Sequence, residues 1–266
     1  MMLDATQNYE AELTADRLFG WHASLFLAGR SGMVKIVVDR WRENTNDDPM
    51  QVISGAMRQE KVHYQAPESA LLENEMQQFM DWFNNEMNLD PVIKAGIAHL
   101  WFLTIHPFDD GNGRISRAIA DMQLSRADQT ERRFYSMSAQ IKLERKRYYE
   151  VLEKTQSGNL DITLWLTWFL DCLNSAIDAT VITLNSVMLK SKILGKVEGS
   201  KFNERQKLML SKFIDGFEGK LTSTKWAKIA KCSQDTAARD IQDLVNKGIL
   251  VKDLAGGRST NYLLVN

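Results

Sequence analysis

The chain has 266 residues, 44% of them hydrophobic and 25% charged, which supplies core for one large domain, or one large and one small, and excludes a peptide or a disordered tail. A formal charge of −1, from 33 basic and 34 acidic residues, gives no overall pull toward nucleic acid or membrane. The balance hides an asymmetry: residues 201–266 carry 12 Lys+Arg and 7 Asp+Glu, net +5, which leaves −6 on residues 1–200.

Cys172 and Cys232 are far apart and lack metal-ligand spacing, so no disulfide framework is expected and the chain is assigned to a reducing compartment, the cytoplasm by default. The opening MMLDATQNYEAEL has neither the basic start nor the apolar run of a secretory signal. The most apolar window, ITLWLTWFLDCL from Ile162 to Leu173, is too short for a membrane span and contains Asp171, so it reads as a buried helix, with no membrane partner.

Helical periodicity dominates. In LTADRLFGWHASLF, Leu18, Trp21, His22 and Leu25 fall on one face behind Thr14 as N-cap. VKIVV, VISGAM and KVHYQAP, within residues 31–66, are short β-branched segments separated by polar turns, which predicts a hairpin or flap at residues 50–66. Helical patterning resumes at ESALLENEMQQFMDWFNNEM and again at DPVIKAGIAHLWFLTI, with Pro91 in a first turn. Pro107 cannot continue that helix, so His106 is expected at its exit, mounted on the packing of Leu100, Phe102, Leu103 and Ile105. A further helix is expected from near Gly113, with Ile115, Ile119 and Met122 inward. Two more follow, one around KLERKRYYEVLEKTQ and one from Asp161 through Lys190. Residues 191–202 lack a clear apolar period and read as a linker. From Asn203 the pattern restarts as three helices and two β-rich segments around a Gly-Gly turn. That order resembles a winged helix-turn-helix, with QDTAARDIQDLVNKG in the recognition position.

The densest chemistry lies in TIHPFDDGNGRISR, residues 104–117. Gly111, Asn112 and Gly113 stand at a helix start, where backbone N–H groups and the positive end of the helix dipole can converge on an anion. Arg114 and Arg117, at i and i+3, fall on one face and can grip phosphates as bidentate donors. An acidic Asp110 beside a phosphate site makes sense with a hard cation between them, and Mg²⁺ is the usual one. A calcium loop would need alternating acids and a closing glutamate where this chain has Arg114 to Arg117. His22, His63 and His99 are read as structural histidines.

The segment HPFDDGNGRISR resembles the signature of Fic domain proteins, His-Pro-Phe-x-Asp/Glu-Gly-Asn-Gly-Arg-x-x-Arg, at every defined position. The resemblance extends over residues 13–170 and includes the flap and RYYEVLE. It implies a mainly α fold, a helical bundle with a β-hairpin flap in residues 1–190, followed by a linker at 191–202 and a small winged-helix (α+β) domain at 203–266. It also implies a protein adenylyltransferase using ATP as co-substrate and Mg²⁺ as cofactor. His106 would be the general base and Asp110 the metal ligand. Gly111, Asn112 and Gly113 would bind phosphates through the backbone and the Asn112 side chain, Arg114 the β-phosphate and Arg117 the γ-phosphate. Phe108 would anchor the loop in the core. Tyr149, Leu152 and Gln156 resemble adenine-pocket positions. Val52, Ile53, Ser54, Gly55, Val62, His63 and Tyr64 would form the flap edge that receives a target protein. Kinase-like relatives carry Lys where Gly113 stands, which favours nucleotidyl over phosphoryl transfer.

An inhibitory Ser/Thr-x-x-x-Glu-Gly/Asn motif of that family is matched only weakly, by TQNYEA at Thr6–Ala11, with Ala in the last position. The expectation is therefore a longer natural protein whose N-terminal inhibitory segment is missing here. The competing reading is a DNA-binding regulator that uses the Fic-like domain as a nucleotide sensor. Lys225, Arg239 and Arg258 would then contact phosphates, and Trp226 and Ile229 would stay in the core. The target protein, any homodimer, and removal of the modification are left open by the sequence.

Overall fold

The computed structural model describes residues 1–45, 47–54, 61–198, 202–214, 217, 219–253 and 260–265. Two compact units emerge, Met1–Thr180 and Val181–Asn266. The first is mainly helical. It opens with α1 (Met2–Gln7), a short element the sequence pattern does not announce, and α2 (Ala15–Leu25). Thr14 caps α2 by accepting from the Arg17 N–H, and Leu18, Trp21 and His22 are buried as their spacing requires.

Next come β1 (Arg30–Ser31) and β2 (Val34–Lys35), then β3 (Gln51–Ser54) and β4 (Lys61–Gln65). VKIVV was expected as a strand, yet only its first two residues pair. Past them the Val37 N–H, which a ladder would need, is donated to the Asp109 carboxylate at 2.8 Å, and Ile36 turns into the core. β3 and β4 form an antiparallel pair with an irregularity between Val52 and Ile53. Gly55 lies outside the described residues.

Helices α3 (Leu72–Asn85), α4 (Pro91–Ile105) and α5 (Asn112–Asp128) form the centre. Buried residues surround α4 on all sides, as its near-continuous apolar sequence demands. It starts where Asp90 caps the Val92 and Ile93 N–H groups and Pro91 takes the first turn. Ile115, Ile119 and Met122 of α5 are fully buried, as expected. After α6 (Met137–Leu143) and α7 (Arg145–Gln156), α8 runs from Thr163 to Glu198. Its Trp165, Trp168 and Phe169 close a second apolar cluster over α4, where the Trp165 indole donates to the Gly96 carbonyl at 2.8 Å. A Cβ at Gly96 would come within 3.1 Å of both Leu166 and Phe169, so the glycine permits this close packing.

Residues 191–198, expected as linker, continue α8. Lysine is a good helix former, a single glycine costs only about 1 kcal/mol against alanine, and extending an existing helix needs no new nucleation.

The second unit contains α9 (Glu204–Ile214), α10 (Ser223–Ala230), α11 (Gln234–Asn246) and the antiparallel pair β5 (Leu250–Lys252) and β6 (Tyr262–Leu264). Thr222 and Ser233 cap α10 and α11. Trp226 is fully buried in a cluster that Ile229 flanks, in agreement with a core assignment. Arg258 lies outside the described residues. Among the described residues no helix is long and apolar enough to cross a membrane.

Candidate active site

The loop between α4 and α5 is built on aromatic packing. Phe108 is fully buried, with its ring stacked on His22 at 4.1 Å and 6°, and it meets Trp41 at 5.3 Å and Phe102 at 6.3 Å. The His22 ring nitrogen Nε2 donates to the Asp110 carbonyl at 3.2 Å. Burial pushes the His22 imidazole below its ordinary range, so it stays neutral while it supports the loop from beneath.

His106 occupies the C-cap of α4 in left-handed conformation, φ 51°, ψ 56°. Its Nδ1 lies 3.2 Å from the Leu103 carbonyl. With Nδ1–H donated there, the Nε2 lone pair is left free to accept a proton. Burial, reinforced by the Arg42 charge and opposed by the Leu103 carbonyl and Asp110, pushes its pKa down to about 4. The imidazole is therefore in the base form across the physiological range.

Asn112 departs from expectation. Its side chain is buried, accepts from the Phe108 N–H at 3.0 Å and donates to the Phe108 carbonyl at 2.7 Å. Both ends of the amide are thus engaged in closing the loop, so in this structure the side chain acts as a clamp on Phe108. Gly111 does need to be glycine: its φ is +86°, and a Cβ there would come within 2.9 Å of the Phe26 ring. Gly113 has ordinary φ, and a Cβ there would meet only the Arg117 guanidinium, at an ordinary contact distance of 3.9 Å.

The two arginines separate. Arg117 lines a cavity of about 1010 Å³, and among the described residues it has no hydrogen bond or ion pair. Arg114 lies over the Phe26 ring at 4.7 Å, and its Nη2 is 3.5 Å from the Asp110 carboxylate. It is not among the described residues that line the cavity. Sequence spacing placed both on one face; the Phe26 ring and Asp110 draw Arg114 aside.

The same cavity brings together His106, Asp110, Gly111, Asn112, Gly113 and Arg117 on one side. Tyr149, Leu152 and Gln156 of α7 stand on another, with Val52, Ile53, His63 and Tyr64 of the hairpin on a third. The expected adenine-pocket and flap positions therefore converge on the loop. Val62 is not among the described residues that line the cavity. Gln156 donates to Thr104 at 3.3 Å, and Tyr64 donates to the Thr104 carbonyl at 2.7 Å, with burial pushing its phenol up to about 12.

Sequence reasoning missed Glu153. It accepts from Lys61 at 2.6 Å and from His63 at 2.7 Å and ties β4 to α7. Hydrogen bonds, first from Lys61 and then from His63, hold its carboxyl below the usual range. His63, read as a structural core histidine, is thus a half-exposed member of the cavity wall. His99 is the buried structural residue expected, 3.2 Å from the Tyr148 hydroxyl, with burial pushing its pKa to about 3. Asp109, Lys61 and Glu153 carried no sequence signal, because their roles depend on what folds against them.

Asp110 is the one carboxylate of the loop that reaches the cavity. Ser31, the Gly111 N–H and Arg114 surround it, and its side chain remains 45% exposed. No group of three or more His, Cys, Asp or Glu among the described residues could cage a metal. That donor set fits Mg²⁺, which commonly takes one or two carboxylates and completes its shell with water and substrate phosphates.

Thr6–Ala11 lies elsewhere. The Tyr9 and Ala11 carbonyls accept from Arg126, and Glu10 is exposed. Arg126 is nine residues beyond Arg117 on α5, about 13 Å along the axis. Glu10 therefore does not pair with Arg117 in this structure.

Residues 12–124 match the Fic/DOC family model. The protein adenylyltransferase Fic of Drosophila willistoni is 37% identical over 105 residues, which cover 39% of this chain and 20% of that protein. The same-named protein of Drosophila grimshawi is 36% identical over 105 residues, with the same coverage. The aligned region thus spans only a fifth of these relatives' length. Among solved structures, a Fic family protein from Desulfovibrio desulfuricans G20 aligns with TM-score 0.56 and 19% identity over 99% of this chain and 72% of that one. A Fic domain containing signaling protein from Bacteroides thetaiotaomicron VPI-5482 aligns with TM-score 0.53 and 20% identity, covering 68% and 66%. At such identities the structural likeness concerns the fold alone. The match over residues 12–124 includes the motif at residues 106–117, so this region of the chain is similar to the Fic/DOC family.

Proposed function

We propose that the chain is a protein adenylyltransferase that moves AMP from ATP to a hydroxyl side chain of a target protein. The observation that carries this is one cavity walled by a neutral histidine, a glycine-rich helix start and an arginine whose side chain has no partner among the described residues. In the reaction the target oxygen attacks the α-phosphorus as its proton passes to Nε2 of His106. The bond from the α-phosphorus to the bridging oxygen breaks, and pyrophosphate leaves. A positioned histidine contributes about 10²–10⁴-fold as base. The N–H groups at the start of α5 and the Arg117 guanidinium hold the phosphate oxygens and their charge in place. Mg²⁺, held by Asp110, would neutralise phosphate charge when bound. The Asn112 clamp fixes the loop's shape, and Arg114 reaches the β-phosphate only if it leaves Asp110. Tyr149, Leu152 and Gln156 would receive the adenine, and the β3–β4 hairpin would receive the target as an added strand.

Incubation with α-labelled and, separately, γ-labelled ATP plus Mg²⁺ tests this. Label on protein from the α-position only, lost in His106→Ala, is expected; label from the γ-position would make the enzyme a kinase. A second reading, a DNA-binding regulator, is favoured by net +5 in residues 201–266 and by exposed Gln234, Arg239, Gln242 and Asn246 on α11. In it residues 203–266 form a winged helix that contacts DNA. Loss of DNA affinity on deleting them, with modification unchanged, would support that role.

A further inference from the structure

Arg42 is 98% removed from solvent, with relative exposure of 2%. Among the described residues it makes no ion pair with a carboxylate, although Asp109 is close enough to act on its charge. A buried guanidinium without a paired anion is costly unless its donors are satisfied, and here they go to backbone carbonyls from two distant segments. Nε donates to the His106 carbonyl at 2.8 Å and Nη2 to the Pro67 carbonyl at 2.5 Å. Nη1 reaches Asn44 at 3.4 Å, and the Arg42 N–H donates to the Pro107 carbonyl at 2.9 Å. His106 is the C-cap of α4, so the cation also sits at the negative end of that helix dipole.

Each contact falls at a point that needs control. His106 holds a left-handed conformation that is unfavourable for a non-glycine residue and persists only where its surroundings enforce it. Pro67 stands two residues beyond the end of β4, where the hairpin rejoins the core. Trp41, next to Arg42, packs on Phe108 and Phe19, so the arginine is anchored to the loop's own core.

We propose that Arg42 is a positioning residue that fixes the root of the β3–β4 hairpin in register with His106, so that a hydroxyl presented by the hairpin meets Nε2. Tyr64, which donates to Thr104, provides a second tie between the same two elements. A misplacement of about 1 Å between reacting groups can cost about 10²-fold in rate. Arg42 is not among the described residues that line the cavity, and its effect is exerted through His106 and Pro67.

The test has two arms, with Arg42→Gln and Arg42→Lys compared with wild type. The first is amide hydrogen exchange on the free protein, independent of any activity. Faster exchange confined to residues 61–67 and 106–112, with protection kept in α4 and in α5 beyond its first turn, is expected. Uniform acceleration, which simple destabilisation would give, or no change at all, would overturn the proposal. The second arm rests on the adenylyl-transfer reading. It expects kcat for transfer to fall by about 10²-fold in Arg42→Gln with KM for ATP unchanged, and by less in Arg42→Lys, which can still reach one carbonyl. A raised KM for ATP at unchanged kcat would overturn the positioning role. If wild type transfers no label, the preceding reading fails and the exchange arm decides this one. If Arg42→Gln does not fold, Arg42→Lys, which keeps the charge, is judged by the same criteria.

Discussion

At the scale of single residues, the site depends on one imidazole being neutral and held. Tying Nδ1 to the Leu103 carbonyl selects the tautomer, and burial removes the proton that water would otherwise stabilise. The His106 imidazole in the free protein, followed by nuclear magnetic resonance, is therefore expected to titrate well below 6.5, near pH 4. A midpoint at or above 6.5 would show that the ring is solvated and charged near neutrality, contrary to the base assignment. Asn112 shows the limit of reading roles from residue type. An amide beside glycines at a helix start suits a phosphate or a backbone turn equally well, and only the Phe108 contacts decide between them.

At the scale of elements, the hairpin is held from two directions. Arg42 and Tyr64 fasten it toward α4, and Glu153 fastens Lys61 and His63 toward α7. The Glu153 pairs are partly open to solvent, so they are screened by salt more than the buried Arg42 contacts. Replacement Glu153→Gln is expected to speed amide exchange in Lys61–Gln65 while leaving α4 and α5 protected. Wild type in high salt should move in the same direction. Unchanged exchange in β4 under both conditions would mean that the ion pairs do not restrain the hairpin. VKIVV makes the complementary point, since β propensity yields a strand only where a partner strand is free to pair.

At the scale of the whole molecule, three histidines are kept from charging. His22, His99 and His106 all have pKa values lowered by burial, so the unfolded chain binds protons below pH 6.5 that the folded chain refuses. Stability is therefore complete above about 6.5 and falls as pH drops, by up to roughly 1.4 kcal/mol per pH unit for a fully buried histidine. For His99 the decline continues toward its folded value of about 3. Urea midpoints are expected to be lower at pH 5 than at pH 7.5; equal midpoints would contradict this. Paired carboxylates such as Asp4 contribute only near their own lower range and so do not account for losses above pH 5.

The sequence by itself determined the helical character of the first unit, the cap Thr14, Pro91 in the first turn of α4, the exit of α4 at His106-Pro107 and the motif through Arg117. Each of these is set by neighbours within a few residues, through periodicity, capping or the fixed φ of proline. It also marked α10, α11 and the β5–β6 segments. Tertiary structure alone decided which of the two motif arginines faces the cavity, because the Phe26 ring and Asp110 draw Arg114 away. The same holds for the Asn112 clamp, for Glu153 as the hairpin's tether and for Arg42 beneath His106. Glu153 and Arg42 meet partners tens of residues away in the chain, a distance no local pattern encodes, while the Asn112 clamp spans only four residues and depends on the burial that holds Phe108 in place.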